Sequence, residues 1–140
     1  MLDYALNALS LGFCVMPATT DGSKQPLGNS STDRRWKQFQ TALPTQSKIK
    51  EWYAGNLTNI GFICGKVSGN LEVMDFDDAT AYHDYKTAAV SCGLGTLVAK
   101  IESGYLEHSP RGIHWLYRCD EIAGNLKLAS REKTSEEKTH

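Results

Sequence analysis

Leu71-Glu72-Val73-Met74-Asp75-Phe76-Asp77-Asp78 is a short apolar run that ends in acids. It reads as a strand. Side chains alternate faces along a strand, so Leu71, Val73, Asp75 and Asp77 share one face and Glu72, Met74 and Phe76 the other. Two carboxylates two residues apart are roughly 7 Å apart at the backbone. Their oxygens can converge on one hard cation, and Mg²⁺ or Mn²⁺ favours such ligands. Two like charges side by side without a counter-ion push one carboxyl to protonate. The plainer reading is an ordinary strand end, with Asp78 capping the next helix and Asp75 and Asp77 solvated.

The rest of the chain sets bounds. Its 140 residues suffice for one domain with a core, and 41% hydrophobic and 22% charged residues are ordinary for a globular protein. The net charge of −1 gives no global basic field, so any polyanion site has to be a local patch. No stretch is long and apolar enough to span a membrane, and Met1-Leu2-Asp3-Tyr4 lacks the basic start of a signal peptide. Cys14, Cys64, Cys92 and Cys119 form no CxxC pair, which argues against zinc. Each lies beside apolar residues and reads as a buried thiol in a reducing cytoplasm.

Working outward toward the N-terminus, Leu2, Ala5, Leu6 and Leu9 have helical spacing, and Gly12 ends that helix. Phe13 to Pro17 reads as a strand. A long loop runs from Thr19 to about Asp33 and carries Lys24, followed by Arg34, Arg35 and Lys37 around Trp36. That basic cluster is suited to phosphates or a base, or is a solvated turn with Trp36 packed inward. Pro44-Thr45 opens a helix to about Ala54, and Asn59 to Cys64 is a strand. Gly65 to Asn70 is a turn, which makes that strand and the acidic one a hairpin.

Toward the C-terminus, Asp78 caps a helix to about Ser91, with Ala79, Tyr82, Tyr85 and Ala89 inward. Cys92-Gly93-Leu94-Gly95 stops it. Thr96 to Glu102 is expected as a strand, Ser103 to Gly112 as a loop, and Ile113 to Cys119 as the last strand. There His114, Leu116 and Arg118 share a face. An imidazole where a loop meets a sheet is suited to a metal or a phosphate, with Arg111 and Arg118 adding charge-assisted contacts; the plainer reading is a half-buried histidine bonded to backbone.

The order of these motifs resembles the archaeo-eukaryotic primase superfamily, specifically the bifunctional primase/polymerase (prim-pol) domain of phage and plasmid replication proteins. The likeness covers most of residues 1–119. It rests on the opening helix and strand ending in Pro17, Lys24-Gln25-Pro26 followed by Trp36, Asn59-Ile60-Gly61-Phe62 after Trp52, Val73-Met74-Asp75-Phe76-Asp77, and Gly112-Ile113-His114. A lone Asp-x-Asp is weak evidence; the landmarks in order carry more. The resemblance implies an α+β fold, a prim-pol catalytic core with an RRM-like sheet. It implies a domain over residues 1–128, incomplete at the C-terminus, and a polar tail over 129–140.

It further implies template-directed nucleotidyl transfer in DNA replication. Asp75 and Asp77 would hold two Mg²⁺ or Mn²⁺ ions, and Asp75, Asp77 and His114 would be the catalytic set. His114 with Arg111, Arg118 and Lys24 would bind the nucleotide. The implied partners are a single-stranded DNA template and primer, a dNTP or NTP, and a helicase domain or other replisome component.

The sequence departs from that pattern in one respect. The family's third carboxylate lies on a strand after the histidine strand, and here Asp120 and Glu121 come too early while Glu132, Glu136 and Glu137 lie in a polar tail. A second expectation is therefore a non-catalytic nucleotide- or nucleic-acid-binding remnant of a primase. A metal-dependent phosphohydrolase fits less well, because Ala79 stands where that class has Thr or Val and the motif lies mid-chain.

Overall fold

The acidic run is a strand, and its neighbours make a three-stranded antiparallel sheet. The computed structural model describes residues 1–21, 23, 25–26, 35–55, 57–109 and 112–130. In chain order the elements are α1 (Leu2–Ser10), β1 (Cys14–Pro17), α2 (Gln46–Trp52), β2 (Ile60–Ile63), β3 (Leu71–Phe76), α3 (Ala79–Ala89), α4 (Gly95–Glu102), β4 (Tyr105–His108) and β5 (Ile113–Arg118). One sheet pairs β1 with β2 and the other has the order β3-β5-β4. Among the described residues no helix is long and apolar enough to cross a membrane.

A pair of helices packs on each sheet, and β1 is buried along its whole length. In the first half, the α1 stripe ending in a left-handed Gly12 (φ +81°) turns the chain back into β1. Ala5, Val15, Ile49 and Tyr53 form the core there, with Leu2, Leu6, Leu9 and Trp52 packed around it. Thr45 caps α2 by accepting from the Lys48 amide. In the second half, α3 and α4 cover Phe76, Ile113 and Trp115 with Tyr82, Ala89 and Val98. Phe76 meets Tyr82 and Trp115 edge to face, with centroids 5.4 and 5.2 Å apart. Full burial of side chains this large contributes about 1.5–3 kcal/mol each.

Two polar contacts tie the halves. The Ser68 hydroxyl is fully buried, accepts from the Cys14 amide at 2.8 Å and donates to the Ile63 carbonyl. Arg118 Nη2 donates to the Leu11 carbonyl at 3.1 Å, and its guanidinium lies over the Phe13 ring at 4.8 Å.

Several expectations are corrected. The β2–β3 hairpin does not form: β2 pairs with β1 along Ile60–Ile63, and β3 pairs with β5. Gly65, Gly69 and Asn70 all have positive φ (93°, 65° and 61°), so the turn folds over and leaves a single bridge, Gly65 to Leu71. Thr96 to Glu102 is not a strand but lies within α4. Its Val98 and Ile101 fall one helical turn apart and pack on the core, which outweighs their β-branched preference. The strand is Tyr105–His108 instead, inside the expected loop, and Gly93 at φ +84° separates α3 from α4. Of the cysteines only Cys14 is buried; Cys64 and Cys92 are exposed and Cys119 is half-buried. Tyr82 and Ala89 are buried as expected, whereas Ala79 and Tyr85 are exposed. Residues 121–130 follow β5 without regular structure, and residues 131–140 of the expected tail lie outside the described residues.

Candidate functional site

Antiparallel register places three polar side chains in one row. Asp75 on β3 stands opposite His114 on β5, and His114 stands opposite Glu107 on β4. The helices cover the face that carries Met74, Phe76, Ile113, Trp115 and Leu106. By alternation Asp75, His114 and Glu107 point to the other face, together with Val73, Leu116 and Tyr105, and there no helix among the described residues packs against them. His114 Nε2 lies 3.1 Å from Asp75 Oδ1, and His114 Nδ1 lies 3.1 Å from Glu107 Oε2. The carboxylates are 63% and 52% exposed and the imidazole 28%, so the row is open to solvent. The two ring nitrogens of His114 thus contact carboxylates on both neighbouring strands.

The row has a flat aromatic neighbour. Tyr105 is two residues from Glu107 on β4, on the same face, and is 62% exposed. Same-face neighbours along a strand are about 6.5–7 Å apart, the span of one heterocyclic base and a hydrogen bond. The open face thus combines a stacking platform with two exposed carboxylate acceptors that flank His114.

The other expected site residues fall elsewhere. Asp77 lies just past the end of β3, exposed, in the bend before α3, and makes no hydrogen bond or ion pair among the described residues. Asp78 caps α3 by accepting from the Ala81 amide at 2.7 Å. Arg118 is at the far end of β5, opposite Leu71, about 13 Å along the strand from His114. It is held there by Leu11 and Phe13. Lys24, Arg34, Arg111 and the Arg35 side chain lie outside the described residues. Lys37 is exposed.

The expected Mg²⁺ or Mn²⁺ two-metal centre at Asp75 and Asp77 is overturned. Among the described residues no group of three or more His, Cys, Asp and Glu side chains is placed to hold a metal ion. The physical reason lies in two contacts. β3 ends at Phe76, so the strand alternation that would align Asp77 with Asp75 stops short. The Asp75 carboxylate is already engaged by His114.

Glu107 was missed because its segment reads as loop. The available signal was the four-residue run Tyr105-Leu106-Glu107-His108 between Gly104 and Ser109, in which Leu106 is half-buried and the other three are exposed once folded. On the covered face a separate acid, Glu72, sits between Tyr117 and Cys119. Burial, with Glu72 beside it, pushes Tyr117 up to about 12. The hydrogen bond from the Cys119 thiol to Glu72, 3.0 Å long, raises that thiol to about 11, so it stays protonated. Compared with known proteins, the chain matches no family model, and no curated protein or solved structure matches it significantly.

Proposed function

We propose that this chain is a non-catalytic nucleotide- and nucleic-acid-binding module of the primase kind, which takes unstacked bases on the open face of the β3-β5-β4 sheet. The observation that carries this reading is the exposed Tyr105 beside the Asp75–His114–Glu107 row, on a sheet face that no helix among the described residues packs against there. Proteins that bind single strands stack bases on aromatic side chains and hold the backbone with local positive charge. The two carboxylates are complementary to base N–H donors, since Asp and Glu accept from amino groups such as cytosine N4. Phosphates are held away from the row, because two carboxylates repel them.

Template-directed nucleotidyl transfer requires divalent ions to activate the hydroxyl and neutralise the triphosphate. With no ligand cluster among the described residues, the binding reading takes precedence over the catalytic one. The order of sequence motifs that resembles prim-pol domains supports a nucleotide or a single-stranded template as the ligand, and leaves a helicase or replisome partner as part of the same proposal.

The test is fluorescence anisotropy of a labelled single-stranded DNA oligonucleotide, titrated with the protein in EDTA. Binding is expected without metal, and Tyr105→Ala weakens it by about 5- to 100-fold, the range for one lost stacking contact. An oligonucleotide that fails to bind, or binds Tyr105→Ala as tightly as wild type, rejects the reading.

A further inference from the structure

A single glycine bends the chain between α3 and α4. Ala89, Val90 and Gly95 are all right-handed helical, and within Val90–Leu94 it is Gly93, at φ +84° and ψ 8°, that leaves the helical region. A Cβ at Gly93 would meet no described atom within 4 Å, so a side chain placed there acts through the backbone and not through packing. With Gly93 helical, residues 79–102 become one helix of roughly 36 Å, from the rise of 1.5 Å per residue.

That straightening parts the chain at the hinge and leaves each piece intact. β3 and α3 lie before Gly93; α4, β4 and β5 lie after it. The contacts that cross the hinge are specific. β3 pairs with β5 from Leu71–Arg118 to Phe76–Ile113, Glu102 receives Tyr82 and Lys86, and Arg118 donates to the Leu11 carbonyl. A second copy of the chain offers the same partners, so each of these contacts can be remade between copies. An apolar stripe favours the exchanged form. Val90, Leu94 and Leu97 are each about half exposed in the closed chain. They are spaced i, i+4, i+7, so a continuous helix gathers them on one side. A two-fold axis at the hinge lays two such stripes against each other, antiparallel, and covers both.

We propose that the chain exchanges α4, β4 and β5 with a second copy of itself, with Gly93 as the hinge and Val90, Leu94 and Leu97 as the new interface. Each Asp75–His114–Glu107 row then takes Asp75 from one copy and His114 and Glu107 from the other. The exchange holds or fails apart from what the open face binds.

The first measurement is sedimentation velocity of the full chain, refolded from urea over a wide range of concentrations, beside Gly93→Ala and Gly93→Asn. Alanine disfavours the left-handed bend and favours the continuous helix, by about tenfold or more at each hinge. Gly93→Ala is therefore expected to dimerise at concentrations about a hundredfold below wild type, for two hinges per dimer. Asparagine tolerates the left-handed region, so Gly93→Asn is expected to stay nearer wild type.

The second measurement separates exchange from simple contact between closed chains. Lys86 and Glu102 pair at 2.7 Å, so Lys86→Glu and Glu102→Lys each set like charges together in a closed chain. In an exchanged pair of the two variants, the glutamate introduced at position 86 meets the lysine introduced at position 102, and the other clamp is the natural one. The equimolar mixture, refolded together, is expected to sediment as a dimer and to melt several degrees above either variant alone. A Gly93→Ala chain that is monomeric at every concentration overturns the proposal. So does a mixture that melts no higher than its parts, which would make any dimer a contact between closed chains.

Discussion

Two small residues show how tightly single positions are constrained. Gly112 precedes β5 and lies against the end of β3: a Cβ there would sit 1.8 Å from the Phe76 carbonyl oxygen and 2.9 Å from its carbon. These are backbone atoms, so nothing flexible can yield. Gly112→Ala is expected to destabilise the fold by about 3 kcal/mol or more, at the upper end of overpacking, read as a lower urea midpoint at unchanged slope. An unchanged midpoint would mean that β3 and β5 do not approach as described. Ser68 is the second case. It closes the Cys14 amide and the Ile63 carbonyl in a fully buried setting. Ser68→Ala leaves that amide unsatisfied and is expected to cost about 1–3 kcal/mol, whereas Ser68→Thr, which keeps the hydroxyl, separates the hydrogen bond from the added methyl. Neither role shows in the sequence, where Ser68 is one polar residue in a turn and Gly112 one glycine before a strand.

At the scale of elements, α3 and α4 are clamped by Glu102, which receives Tyr82 Oη and Lys86 Nζ, the latter at 2.7 Å. Burial pushes the Glu102 carboxyl up, but the hydrogen bonds from Lys86 and Tyr82 outweigh it and the net shift is downward. A carboxyl held below its unfolded value contributes stability that is fully present above the unfolded pKa and is lost as pH falls through the folded one. Tyr82 is shifted up, by burial and then by Glu102, and Lys86 is shifted up by its bond to Glu102. The Lys86 contribution is therefore complete below the ordinary lysine range and disappears only as pH rises through its raised value. Glu102→Gln should melt lower than wild type at pH 7, and the gap should close as the pH drops below about 4. A gap that persists at pH 3 would assign the loss to packing.

Elements were legible where a short signal matched the local backbone. Asp78 before α3, Thr45 before α2 and Gly12 after α1 each announce a helix end with one residue. The α4 segment was not legible, because Thr96, Val98 and Ile101 favour strands locally, and only packing on Trp115 and Ile113 makes the helix pay. The β2–β3 hairpin misled for a related reason. Two glycines marked a turn, but the left-handed Asn70 that carries β3 into another sheet has no marker of its own.

For the molecule as a whole, the site was half legible. Asp75 and His114 each stood out, yet their contact exists because β3 and β5 pair in one register, and Glu107 joins only because β4 lies on the other side of β5. Strand pairing is a long-range property that no local pattern contains. The same topology withdrew Asp77 and Arg118 from the row, the first past a strand end and the second to the far end of β5. What remains is a pair of carboxylates around His114, beside an exposed tyrosine, on a sheet face where no helix among the described residues packs against them, and the central claim is that single-stranded nucleic acid lies there.

Amide-resolved NMR with a short single-stranded DNA oligonucleotide tests it most directly. The account predicts concentration-dependent shifts at Tyr105, Glu107, His114 and Leu116, in EDTA as well as with Mg²⁺, while the α3–α4 face stays still. Shifts confined to α3 and α4, or none at saturating oligonucleotide, would contradict it.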